Sequence, residues 1–314
     1  MKLPRFPIPF NVFRQAAKEL SANDPLRMAG AMSFFTTFAL PAVIIIIIQA
    51  LGLVFNEQRI SNQLFEKLEG VIGERSVTQV SETLSGFTEI ADNIYITIIG
   101  SLFLFFVATT LFKVIKSSIN QIWKIKVDRR RNVWRRLQNR LLSFLVILIT
   151  GILFLAGILA ETAQAFLGDL IAGMFPEVAA VLQNTLSIVV SLLIVTIWFA
   201  VLFRYLPDGR PDWNIALVGA LITGVLFNSG KVLLRVLLLQ GNISTIYGAG
   251  GSLVLLLLFV FYSSLILFYG AAFTKIWAEY KETPIQPLPH AISYRQQHID
   301  TNTKEIIRDE DIES

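Results

Sequence analysis

The 314-residue chain is 54% hydrophobic and only 16% charged, with 27 Lys and Arg set against 23 Asp and Glu. That balance, with a mean hydropathy of +0.61, excludes an ordinary soluble domain. The lack of cysteine excludes disulfides and thiolate chemistry.

The first 29 residues carry Lys2, Arg5, Arg14, Lys18 and Arg27 and read as a cytoplasmic segment. Pro4, Pro7 and Pro9 precede a short amphipathic stretch, which differs from a cleaved signal peptide, so the first apolar helix is expected to be retained. Phe10, Phe13, Ala17 and Leu20 share one helical face, with Arg14 and Lys18 elsewhere, which predicts an interfacial helix. Asp24 followed by Pro25 reads as an N-cap with proline in the first helical position.

Six continuous apolar stretches follow, at about 30–55, 93–116, 141–167, 179–205, 215–239 and 249–276. At ~1.5 Å per residue, roughly 20 apolar residues cover a hydrocarbon core of about 30 Å, and each stretch meets that length. Transmembrane β-strands would be short and alternating, so a barrel is excluded. The expected fold is all-α, a polytopic membrane protein with six transmembrane helices in a membrane domain over 30–276. Pro41 predicts a kink in the first of them.

Between the stretches, 56–92 holds Arg59, Lys67 and Arg75 against seven acids, and the turns at 168–178 and 240–248 hold no basic residue. Within 56–92, Ile60, Leu64, Leu68, Val71 and Ile72 predict a short amphipathic helix on the outer surface. The inner loop 117–140 lies in a segment with ten basic residues from Lys113 to Arg140. Arg204 and Arg210 mark the next inner turn, and five more basic residues follow from Lys275. The positive-inside rule then places both termini in the cytoplasm, which requires an even number of crossings, and six satisfy it. The polar tail 277–314, with Pro284, Pro287 and Pro289, is expected to be disordered.

Several segments together resemble one family. Asp24 to Gly52, with Ala31, Ser33-Phe34-Phe35, Phe38 and Pro41, is similar to the first helix of the YihY/BrkB family. Arg204-Tyr205-Leu206-Pro207 and Tyr247-Gly248-Ala249-Gly250-Gly251-Ser252 resemble its inner turn and last hairpin. Tyr262-Ser263-Ser264 and Gly270-Ala271 extend the likeness, which covers roughly residues 10–280. It implies a six-helix bacterial inner-membrane protein, with transport of lipids or other amphiphiles a suggested role. Many members have Glu after the final Gly-Ala, where this chain has Ala272, so no ion-coupling role carries over to that position.

The ribonuclease label once given to that family finds no support in the residues. Phosphodiester hydrolysis needs a metal cluster, a His pair or a comparable acid–base set. The two histidines, His290 and His298, both fall in the tail. Arg129, Arg130, Arg131, Arg135 and Arg136, with Trp123 and Trp134 nearby, read as a surface for anionic lipid rather than for a specific nucleic acid. The chain reads as non-enzymatic, without cofactor or metal. Membrane lipids, anionic ones above all, are the expected partners, and a homo-oligomer is allowed.

Charges inside spans are costly and face a partner or a cavity. Asn228, Lys231 and Arg235 fall within a ~60° arc of the fifth stretch, above a small-residue ladder of Ala216, Ala220 and Gly224. Glu161, on the third stretch, reaches a similar depth and can pair with Lys231 or Arg235; either assignment stands. One reading makes these four residues an anion-attracting cavity for a headgroup; the other has both cations reaching outer headgroups, with Glu161 ending its helix near water. Gly248, Gly250 and Gly251 open the last helix and form a second anion-site candidate, against the reading of a plain turn. Tyr262, Ser263, Ser264, Thr109 and Thr110 are expected to make interhelical hydrogen bonds. Two functions follow: a transporter or flippase-like protein for an anionic amphiphile, or a non-catalytic scaffold of the envelope.

Overall fold

The computed structural model describes residues 9–52, 56–72, 77–78, 80–82, 94–127, 148–149, 152–153, 156–157, 176–240, 251–294, 298–299 and 306–307. Among these, long helices stand at five of the six apolar stretches: α2 (Pro25–Gly52), α4 (Ile94–Ile122), α5 (Pro176–Tyr205), α6 (Trp213–Gln240) and α7 (Gly251–Tyr280). Two shorter helices, α1 (Phe10–Ser21) and α3 (Glu57–Ile72), complete the set. The stretch 141–167 lies outside the described residues apart from three helical pairs. Three described helices are long and apolar enough to cross a membrane: Thr185–Tyr205, Trp213–Val232 and Leu253–Tyr280.

The helix α2 begins at Pro25 as expected. The Asp24 carbonyl accepts the first helical bond, from the Met28 N–H at 3.1 Å. Asp24 itself has φ +53°, not the extended backbone of a usual N-cap. The short helix expected from Ile60, Leu64, Leu68, Val71 and Ile72 is α3, with Ile60 and Leu64 buried in the core and Leu68 packed against it.

Close packing of α6 on α7 depends on reciprocal glycines. A side chain at Gly219 would overlap Thr274, and one at Gly270 would overlap Thr223. Higher up, Gly230 abuts the Tyr262 ring. The paired numbers rise on one helix as they fall on the other, so the two run antiparallel in one register. The expected ladder of Ala216 and Ala220 is fully buried, but Gly224 turns to Thr196 on α5.

The helix expected near the N-terminus is α1, and its packing adds two facts. Val12 and Ala16 are its buried residues, whereas Phe10 is 80% exposed and Ala17 is also exposed. And α1 runs alongside α7 in the same direction. Tyr269 donates from its hydroxyl to the Phe13 carbonyl (3.1 Å), and six residues further along both helices Lys275 Nζ meets Glu19 Oε1 at 2.8 Å. The Phe13 and Phe273 rings touch between these points, with centroids 5.1 Å apart. This seam fastens one side of α1 to α7 and leaves Phe10 and Ala17 exposed on the helix.

Beyond α7 the expectation of a disordered tail fails for 284–294. The strand β3 (Gln286–Pro287) pairs with β2 (Gly209–Arg210), and β4 (Ala291–Ser293) pairs with β1 (Ile125–Val127), both antiparallel. A third short ladder joins β5 (His298–Ile299) to β6 (Ile306–Ile307). Pro284 precedes β3, Pro287 ends it and Pro289 lies between β3 and β4, positions that suit a short edge strand.

Two hydroxyl expectations also change. Ser264 donates to its own helix at the Val260 carbonyl (2.6 Å), and Thr110 to the Phe106 carbonyl (2.7 Å). A carbonyl one turn back is always within reach of Ser or Thr, so it competes with a neighbouring helix.

Candidate functional site

Of the residues expected to form a headgroup site, Asn228 and Lys231 are placed on one face of α6, both half-buried. Asn228 Nδ2 donates to the Gly224 carbonyl (3.0 Å), and its Oδ1 accepts from the Ser191 hydroxyl on α5 (3.3 Å). Lys231 Nζ stands over the Phe227 ring, 5.7 Å from its centroid. No carboxylate pairs with it among the described residues. Thr196, buried on α5 opposite Gly224, has a hydroxyl without a hydrogen-bond partner among the described residues. These groups form a polar seam between two helices, headed by a cation.

Arg235 continues α6, but its side chain lies outside the described residues, as do Glu161, Gly248, Gly250 and the basic set Arg129, Arg130, Arg131, Arg135 and Arg136. Gly251 is the first residue of α7. The pairing of Glu161 is therefore not addressed by these residues.

A second polar centre, which the sequence reading missed, lies at the basic end, where α5 turns into α6. Pro207 and Asp208 are fully buried there. One carboxylate oxygen of Asp208 accepts from Lys116 Nζ at 2.7 Å and meets His290 Nε2 at 2.8 Å. The other accepts from Asn120 Nδ2 at 2.7 Å, while the Asp208 N–H donates back to Asn120 Oδ1 at 2.9 Å. The Asp208 carbonyl accepts from the Leu288 N–H (2.8 Å). Burial alone would raise the Asp208 pKa, but Lys116, His290 and Asn120 outweigh it and hold the carboxyl below its usual value.

The local sequence builds this centre from three directions. Lys116 and Asn120 are one turn apart on α4 and so share a face. The Arg204–Arg210 turn carries Asp208 into that face, and the strap 284–294 brings His290 over it. The spacing of Lys116 and Asn120 was visible in sequence, but their shared partner lies 88 residues beyond Asn120.

A family model described as virulence factor BrkB matches residues 16–293. The chain belongs to this family. A UPF0761 membrane protein of Janthinobacterium sp. (strain Marseille) is 24% identical over 84% of this chain and 59% of its own length. One from Pseudomonas aeruginosa (strain LESB58) is 28% identical over 77% of this chain and 57% of its own. A third, from Psychromonas ingrahamii, is 26% identical over 83% of this chain and 85% of its own. The chain thus spans under two thirds of the first two relatives. No solved structure matches it. The resemblance read from Asp24–Gly52 and the later segments is confirmed. This BrkB-family chain is a multi-pass protein of the bacterial inner membrane.

Proposed function

We propose that this BrkB-family chain is a non-enzymatic inner-membrane transporter or flippase-like protein for an anionic amphiphile. In this reading it crosses the membrane six times and keeps both termini in the cytoplasm. Lys231 and Arg235 draw the headgroup, Asn228 orients it, and Glu161 tunes the charge.

The observation that carries the reading is Lys231 above the seam of Asn228, Ser191 and Thr196. A cation inside a span is costly unless it meets a counter-charge, water or a ligand. An anionic headgroup would supply the charge, and the seam would supply donors along its route.

A scaffold reading has its own support. Lys231 stands 18 residues above Trp213, about 27 Å up the helix, where a long side chain can reach outer headgroups. The two readings separate by lipid binding in native mass spectrometry. Selective retention of one anionic amphiphile, lost in Lys231→Ala/Arg235→Ala of equal thermal stability, supports transport. Equal and unselective binding by both proteins refutes it.

A further inference from the structure

The ends of α5 and α6 meet in an aromatic and cationic cluster at the basic end. The apolar window of α5 ends at Tyr205, and that of α6 begins at Trp213. Their rings meet edge to face, with centroids 5.9 Å apart. The Arg204 guanidinium lies 5.5 Å from the centre of the Trp213 ring, and its Nη1 donates to the Pro211 carbonyl. Arginine placed this way is fixed in position and still has donors on the rest of its fork.

The cluster is nevertheless open. Tyr205 is 41% exposed and Trp213 is 44% exposed, so both rings offer surface beyond their mutual contact. Above Trp213, Leu217, Leu221 and Val225 are exposed along α6; above Tyr205, Ile197, Leu193 and Val189 are exposed along α5. Each set repeats every four residues, so each keeps to one face of its helix. Two apolar stripes therefore rise from one polar, cationic foot.

Local charge favours an anion. Lys116 and His290 already occupy Asp208. That leaves Arg204 and Arg210 as the cations of the turn, against Asp212 as the remaining carboxylate. The balance is one net positive charge beside rings that prefer the headgroup level of a bilayer.

We propose that Arg204, Tyr205 and Trp213 form a binding site for an anionic glycerophospholipid. Its phosphate lies against the free edge of the Arg204 guanidinium, within reach of Arg210. Its acyl chains lie along the α5 and α6 stripes. A planar guanidinium pairs two phosphate oxygens at once, which gives an anionic lipid an advantage over one whose own ammonium competes for the phosphate. The site is at the opposite end of α6 from Lys231 and does not depend on the transport reading.

The test uses the full chain in nanodiscs containing brominated phosphatidylglycerol or brominated phosphatidylcholine, whose bromines quench nearby tryptophan. Subtracting the emission of Trp213→Phe isolates the Trp213 signal. The expected result is half-quenching at a several-fold lower mole fraction of the phosphatidylglycerol, with the difference abolished in Arg204→Gln. Equal quenching of wild-type Trp213 by both lipids overturns the proposal, and this comparison requires no charge variant to fold. A preference that persists undiminished in a folded Arg204→Gln overturns it as well.

Discussion

Replacing Asp208 by Ala removes one acceptor from three donors at once: Lys116 Nζ, His290 Nε2 and Asn120 Nδ2, all within 2.8 Å of the carboxylate. Removing one partner of a buried ion pair costs about 3–5 kcal/mol, because the other charge stays behind. Lys116 keeps some solvent contact, with its side chain 13% exposed, which favours the lower end of that range. At roughly 2 °C per kcal/mol for a domain of this size, ~3 kcal/mol lowers the Tm by about 6 °C. Intrinsic tryptophan fluorescence during heating in detergent measures this. Unfolding of such proteins is often irreversible, so variants are compared at one scan rate. Lys116→Met/Asp208→Ala should recover part of the loss, since neither charge is then buried alone. A Tm for Asp208→Ala within about 1 °C of wild type would refute the argument that this centre fastens the basic end.

The same centre predicts an acid limb. The folded Asp208 carboxyl lies below its ordinary value of 3.8, so its contribution is fully present above that value and is lost as pH falls through the lowered one. Asp208→Asn should flatten this part of a Tm-against-pH curve. His290→Ala should free the strap 284–294 and speed tryptic cleavage at Lys281 and Arg295, several-fold above wild type; unchanged cleavage rates would mean that the β ladders alone hold it. Gly219→Leu should drive a side chain into Thr274 and cost about 1–3 kcal/mol or more, read as a lowered Tm, whereas Ser229→Leu on the exposed face of α6 should be nearly silent. Glu19→Ala should loosen α1 from α7 by removing the partner of Lys275, visible as faster hydrogen exchange over Phe10–Ser21.

What could be read from sequence depended on how local the cause was. Helix length and apolarity are properties of single segments, so α5, α6 and α7 emerged where their composition placed them. The small residues of α6 announced close packing. Which neighbour each one faces depends on the rotation of α5 and α7 around it, so the sequence named no partner for Gly224, which meets Thr196 on α5. The α1 face was read only in part for the same reason. Phe13 of the expected face does meet Tyr269 and Phe273, but Val12 and Ala16 are buried deeper, while Phe10 stays exposed. Asp208 was the largest omission. It is one of two acids in the turn that Arg204 and Arg210 mark, and nothing local distinguishes it from Asp212 as the buried one. Its burial follows from two separate events, the turn folding onto α4 and the strap folding back across it. The proline-rich composition that suggested disorder in 284–294 equally suits short edge strands once a folded surface exists to pair with. Distant polar contacts thus fasten the basic end of this chain, while the apolar spans above it carry the membrane signal. A variant that weakens the Asp208 centre should therefore leave membrane insertion intact and loosen only what the turn and the strap hold together.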